Sequence, residues 1–148
     1  MSLSSITIGG GLQKIEASSF ENCAALQSIT IPKSITTIGA NAFRGCTSLK
    51  NVVFPISTSG LDTIDEGTFS FCESLREIKF PVGIKYISKN AFLCCTALVR
   101  VVLNADLQSI WDYAFMECSN LTTINIPAKT IVTNTAFLEC PKLIRKRK

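Results

Sequence analysis

Cysteine is the residue type in this chain best suited to chemistry. There are seven, and two are neighbours, Cys94 and Cys95. Adjacent thiols serve as metal ligands, as a redox pair or as a strained disulfide, and they also serve as small apolar filler. Spacing separates these uses. Zinc sites need ligands clustered at short intervals, of the C-x-x-C kind, and no such pair occurs. Histidine is absent, which removes the commonest metal ligand and the commonest general base together. Six thiols instead recur at a near-constant interval, each three residues after a phenylalanine: Cys23, Cys46, Cys72, Cys95, Cys118 and Cys140. A disulfide between successive members needs α-carbons within about 7 Å, and a curved array that opens on this side is expected to exceed that limit. The column reads as buried filler. Cys94 stands outside it. Its counterparts are Asn22, Gly45, Phe71, Glu117 and Glu139, mostly polar, so Cys94 is expected to be partly exposed. It is the candidate for a reactive thiol or an intermolecular disulfide.

The remaining reactive groups do not assemble. Gly9–Gly11 lacks the G-K-S/T that a phosphate loop requires and occupies the turn position held later by Pro32, Lys33 and Ser34. Asp65, Glu66 and Asp112 fall in polar turns without converging. Serine and threonine are plentiful, but no triad forms without histidine. We predict no catalytic residue, no metal ligand and no cofactor, and the chain is not expected to be an enzyme.

Those columns rest on a repeat. Phenylalanine falls at 20, 43, 69, 92, 115 and 137, at intervals of 23, 26, 23, 23 and 22. Leucine follows each cysteine by three residues, at 26, 49, 75, 98, 121 and 143. Then comes an apolar pair two residues apart, such as Ile29/Ile31, Val52/Phe54 and Ile78/Phe80, which is the period of a strand with one buried face. Proline at 32, 55, 81 and 127 ends that strand, with Asn104 in the remaining slot. The A-F-x-x-C-x-x-L segment advances in steps of three and suits a short helical turn. One unit cannot bury its own face, so units must stack, each on its neighbour. The expected fold is an α/β repeat: a right-handed, curved leucine-rich-repeat solenoid of about six repeats of 23 residues. A parallel sheet lines the concave side and short helical turns the convex side. The array spans 1–144, with a three-residue insertion near 56–60 and a basic tail at 145–148. The last unit is imperfect, since Lys129 falls where an aliphatic residue is due.

Charge supports this layout. The chain is 47% apolar and 18% charged, with a net charge of +4. Arg145–Lys148 carry all of that excess, leaving a neutral body of 11 basic and 11 acidic residues. Nucleic-acid binders spread basic charge along a face, so no nucleic acid is expected as a partner. No run approaches the roughly 18 apolar residues of a membrane span, and the start shows no secretory leader.

Side chains alternate along a strand, so the outward columns are legible. Between the buried positions lie Thr7, Thr30, Val53, Lys79, Val102 and Asn125; just before them lie Ser5, Ser28, Asn51, Glu77, Arg100 and Thr123. The central repeats gather Lys50, Arg76, Lys79 and Arg100 beside Val53, Val99 and Val102. This cationic, partly apolar centre is the first candidate for a protein-binding patch. Tyr86, Trp111 and Tyr113, in slots held elsewhere by polar residues, form an alternative aromatic patch.

The run IPKSITTIGANAFRGCTSLKNVVFP resembles the BspA-like, Treponema-type leucine-rich repeat in its A-F-x-x-C-x-x-L core, its I-x-I-P strand and its I-G step. The resemblance extends from Ile6 to Leu143. Ser19 and Thr68 in the alanine column and Asn104 for proline depart from it. It implies a non-enzymatic scaffold that binds a protein partner, on a host or another cell, and a cell-surface or secreted location. The alternative is a structural segment of a longer array with its recognition site elsewhere. The bare ends would then associate end to end.

Overall fold

Alternating apolar and polar residues set the first side of each coil. A computed structural model gives the fold, describing residues 3–147, with side chains for 3–144. The I-x-I segments form the main strands β1 (Ser5–Ile6), β3 (Ser28–Thr30), β5 (Asn51–Val53), β7 (Glu77–Lys79), β9 (Arg100–Val102), β11 (Thr123–Ile126) and β13 (Ile144–Arg147). After the proline turn, the T-I-type segments form a second set: β2 (Lys14–Ile15), β4 (Thr37–Ile38), β6 (Thr63–Ile64), β8 (Tyr86–Ile87), β10 (Ser109–Ile110) and β12 (Ile131–Val132). All pairings are parallel and join equivalent residues of neighbouring coils, for example Ile29 with Val52 and Ile64 with Ile87. The result is a three-sided parallel solenoid with two strand sides.

The third side corrects one expectation. Steps of three predict helical turns, but no helix is present among the described residues. The cause is backbone chirality. Residues two before the first five phenylalanines and two after all six take left-handed φ, between 57° and 73°. They are Ser18, Asn41, Gly67, Asn90 and Tyr113, then Asn22, Gly45, Phe71, Cys94, Glu117 and Glu139. A left-handed residue stops a right-handed helix from propagating. Alternate N–H groups bond three residues back, as Cys23 does to Phe20 (3.2 Å), and the others donate to the next coil. Phe20 donates to Ala42, Phe43 to Thr68, Phe69 to Ala91, Phe92 to Ala114 and Phe115 to Ala136, at 2.7–2.9 Å. This turn ladder is a third hydrogen-bonded rail.

The six phenylalanines stack along the rail, with neighbouring ring centroids 5.1–5.5 Å apart. Phe43, Phe69, Phe92 and Phe115 are fully buried, together with Cys23, Cys46, Cys72, Cys95 and Cys118 and the leucine column from Leu26 to Leu121; Leu143 is half-buried. Such spacing shows that the turn side does not splay, contrary to the expectation used against disulfides.

Irregular repeats keep the core in other ways. Asn104 replaces proline by donating from Nδ2 to the Pro81 and Ile84 carbonyls (2.9 and 3.0 Å) and accepting the Asp106 N–H at 2.8 Å. Thr130, not Lys129, fills the aliphatic slot of the last unit. It is 3% exposed and donates to the Leu107 carbonyl at 2.9 Å. The chain from Ile144 to Arg147 is strand β13, parallel to β11, so the segment read as a basic tail begins inside a strand; Lys148 lies outside the described residues.

Both sheets break at the same place. The main sheet divides into β1-β3-β5 and β13-β11-β9-β7, and the second into β2-β4 and β12-β10-β8-β6. The insertion lies between these blocks. The turn ladder crosses here, through Asn41 to Glu66, Phe43 to Thr68 and Gly45 to Ser70, and the inserted segment adds a short bridge from Ser57 to Val82.

Candidate functional site: the exposed face of the main sheet

Parallel register sorts the outward residues of β5, β7 and β9 into rows. Asn51, Glu77 and Arg100 form one row and Val53, Lys79 and Val102 the next. Glu77 pairs with Arg100 and Lys79 with Val102. Lys50, Arg76 and Val99 form a third row just before the strands. The structure brings all seven predicted patch residues onto one face. Lys50, Arg76, Lys79 and Arg100 are exposed, Val53 is 53% and Val99 42% exposed, and Val102 is half-buried. One ion pair lies on the face, Arg100 with Glu77 at 3.8 Å. Lys50, Arg76 and Lys79 make no ion pair among the described residues. Three unneutralised cations around exposed valine favour an acidic partner with apolar contacts.

The aromatic alternative does not assemble in the same way. Trp111 is exposed, as its slot predicts. Tyr86 lies in β8 and directs its hydroxyl to Gln108 Oε1 at 3.1 Å. Tyr113 occupies a left-handed ladder position. Among the described residues no ring contact joins the three.

The cysteine column has a polar role that the sequence does not reveal. Each Sγ points at the phenylalanine carbonyl of the preceding coil: Cys46 to Phe20, Cys72 to Phe43, Cys95 to Phe69, Cys118 to Phe92 and Cys140 to Phe115, at 2.9–3.3 Å. That carbonyl already accepts the cysteine N–H of its own coil, so a small apolar group with one weak donor fits the place. All seven thiols are free. Burial pushes the Cys46 thiol up to about 12, and holds those of Cys72, Cys95 and Cys118 above the usual thiol range.

Cys94 is half-buried, as its column predicts, but its Sγ donates to Glu117 Oε2 at 3.0 Å. Desolvation, then the Glu117 hydrogen bond and charge, raise its pKa to about 12. Little thiolate forms at neutral pH, which removes the ordinary basis of cysteine reactivity. Glu117→Gly should change two things. The left-handed backbone at φ 59° costs a side-chain-bearing residue about 1–2 kcal/mol. Glycine relieves that strain, so after its own entropic cost a net gain of about 0.5–1 kcal/mol is expected. The Cys94 pKa should fall from about 12 toward its ordinary value. Thermal unfolding and the pH dependence of thiol labelling check both. A destabilised variant with an unmoved labelling profile would contradict this account.

Among the described residues, no group of three or more His, Cys, Asp or Glu side chains is placed to hold a metal ion. No helix is long and apolar enough to cross a membrane.

Known proteins place this geometry. The family model of the BspA type leucine rich repeat region matches residues 1–60 and 56–146, in six copies. A leucine rich cell surface protein of Faecalibacterium prausnitzii is similar in structure, with a TM-score of 0.72 and 27% identity over 98% of this chain. A leucine-rich repeat protein of Eubacterium ventriosum gives 0.83 and 30% over 93%, and the T. pallidum leucine rich repeat protein 0.86 and 26% over 97%. The chain spans 32%, 37% and 69% of those three proteins respectively. No curated protein matches it. The repeat, its three rails and these matches agree: the chain belongs to the BspA-type leucine-rich-repeat family, whose repeats form scaffolds typical of protein-interaction modules.

Proposed function

We propose that the chain is a non-enzymatic adhesion module that binds an acidic protein surface on the outward face of β5, β7 and β9. The observation that carries this reading is Lys50, Arg76 and Lys79 standing without ion pairs around Val53, which is 53% exposed. Charged and apolar groups on one face give both steering and contact area. A location on the cell surface or outside the cell is part of the proposal. It draws on the family and on the similar F. prausnitzii protein, a cell surface protein. Five fully buried column thiols also suit an oxidising milieu, because burial keeps them from exchange.

Charge reversal tests the face. Lys79→Glu combined with Arg100→Glu should leave the melting temperature nearly unchanged, since both side chains are exposed. Affinity for an acidic protein partner should fall about tenfold or more. Undiminished binding by the doubly reversed protein would refute the face. Sedimentation of the same samples reads the alternative, end-to-end stacking of a structural segment, as mass rising with concentration.

A further inference from the structure

The insertion does more than lengthen a loop; it opens the face at its centre. At the other junctions of the main sheet the residue before each strand donates to the preceding coil: Lys50 to Gln27, Val99 to Arg76 and Thr122 to Val99, at 2.8–3.1 Å. At the β5/β7 junction the equivalent bond, from Arg76 N–H to the Lys50 carbonyl, is missing. Past the strand, Ile31 donates to Val53 and Phe80 to Val102, whereas Phe54 N–H makes no such bond to Lys79, as Ile8 makes none to Thr30 and Leu103 none to Asn125. The gap closes again where Ile56–Thr58 pairs with Val82, through Thr58 N–H to Val82 (3.2 Å) and Val82 N–H to Ile56 (3.0 Å).

The slot therefore has two unlike ends. One is polar, with Lys50, Arg76, Ser74 and the idle Arg76 N–H; Glu73 is the acid there without an ion pair, since Glu77 is held by Arg100. The other is an apolar cleft of about 430 Å³ between Val53, Phe54, Ile56 and Val82. Ile56 is 92% exposed and Val82 53%. Lys79 lies between the ends. A whole strand cannot enter, because β5 and β7 have α-carbons within 8 Å of one another, whereas an inserted strand needs about 9.5 Å. Side chains can enter.

We propose that this slot receives an extended acidic protein segment. One carboxylate accepts the Arg76 N–H between Lys50 and Arg76, and one large apolar side chain fills the cleft between Val53 and Val82. Lys50 and Phe54 are about 13 Å apart along an extended chain, so the acid and the apolar residue of the ligand are separated by about three residues. This inference rests on the proposed use of the face and adds the chemistry of its ligand.

The test uses a fluorescein-labelled Ser/Thr peptide carrying Glu and Leu at that separation, read by anisotropy on the full chain. Binding should be saturable and should fall at least tenfold when the peptide Glu is changed to Lys. Deleting Thr58, Ser59 and Gly60 restores the ordinary period and should close the seam while keeping every patch charge. Slowed exchange of the Arg76 N–H reports closure, and peptide affinity should drop at least tenfold. Ile56→Asp with Val82→Asp spoils the apolar end without altering chain length, should the deletion fail to fold, and should cause the same loss. No binding by the parent, or equal binding by a closed or Asp-bearing variant, overturns the slot. Where the closed or Asp-bearing variants bind as the parent does, loss of binding in Lys79→Glu with Arg100→Glu leaves the face standing without the slot; if that variant also binds normally, both fall.

Discussion

Alkaline solution should destabilise this protein steadily above pH 9, well below the range where its backbone is at risk. Cys46, Cys72, Cys95 and Cys118 are fully buried and remain neutral in the folded chain, with pKa values raised from 9.0. Unfolding frees them to ionise above pH 9. The stability they contribute is whole below that pH and is lost as pH climbs toward the folded values, about 12 for Cys46. Each fully shifted thiol costs about 1.4 kcal/mol per pH unit in that window. Cys46 alone removes about 2 kcal/mol by pH 10.5, and Cys72, Cys95 and Cys118 add losses of the same sign, against the roughly 5–15 kcal/mol of a typical domain. Urea titrations from pH 7 to 10 should show this slope. Cys72→Ala with Cys95→Ala should flatten it, whatever that variant does to stability at pH 7. An unchanged slope would mean that the thiols ionise in place.

The second large effect lies in the ring stack. Phe92 has Phe69 and Phe115 at 5.3 and 5.1 Å on its two faces and Phe80 edge-on at 5.7 Å. Phe92→Ala should cost about 3–5 kcal/mol through lost transfer energy and the cavity left behind. Because coils contact only their neighbours, the loss also uncouples the two halves of the array and should broaden the urea transition. Phe20 is half-buried and stacks on Phe43 alone, so Phe20→Ala should cost roughly half as much. Equal losses at the two positions would show that the stack does not transmit stability as a chain of neighbours.

Periodicity made much of this legible. The I-x-I pairs had to be buried on one face, so Val53, Val99 and the four cations had to emerge on the other, and the structure places them there. The turn ladder was hidden because a three-residue step suits a helix and a ladder of turns equally well. The signal against a helix was Asn41, Gly67 and Asn90 in one column and Asn22 and Gly45 in another, residues that tolerate left-handed backbone. They read as ordinary surface variation. Cys94 sat in that same column, whose residues share the left-handed backbone and little else. The carbonyl contacts of the cysteine column were illegible, since filler and weak donor call for the same residue. The insertion was visible, but a loop of that length ordinarily bulges outward without unpairing strands. Here both sheets part beside it.

Alternation of hand along the turn ladder also governs where the chain can change length. Donors that face the next coil and donors that face their own coil occupy even and odd places. A single added residue would exchange the two sets and misdirect every later rung of that coil. Parity thus protects the Phe-x-x-Cys stretch from single-residue gain or loss, and its spacing is identical in all six copies. Both irregularities, the extra residues between Pro55 and Leu61 and the one missing between Thr130 and Ile131, fall instead on the link from main strand to second strand. That link is where such a scaffold acquires new shapes, and the open slot beside β5 is one of them.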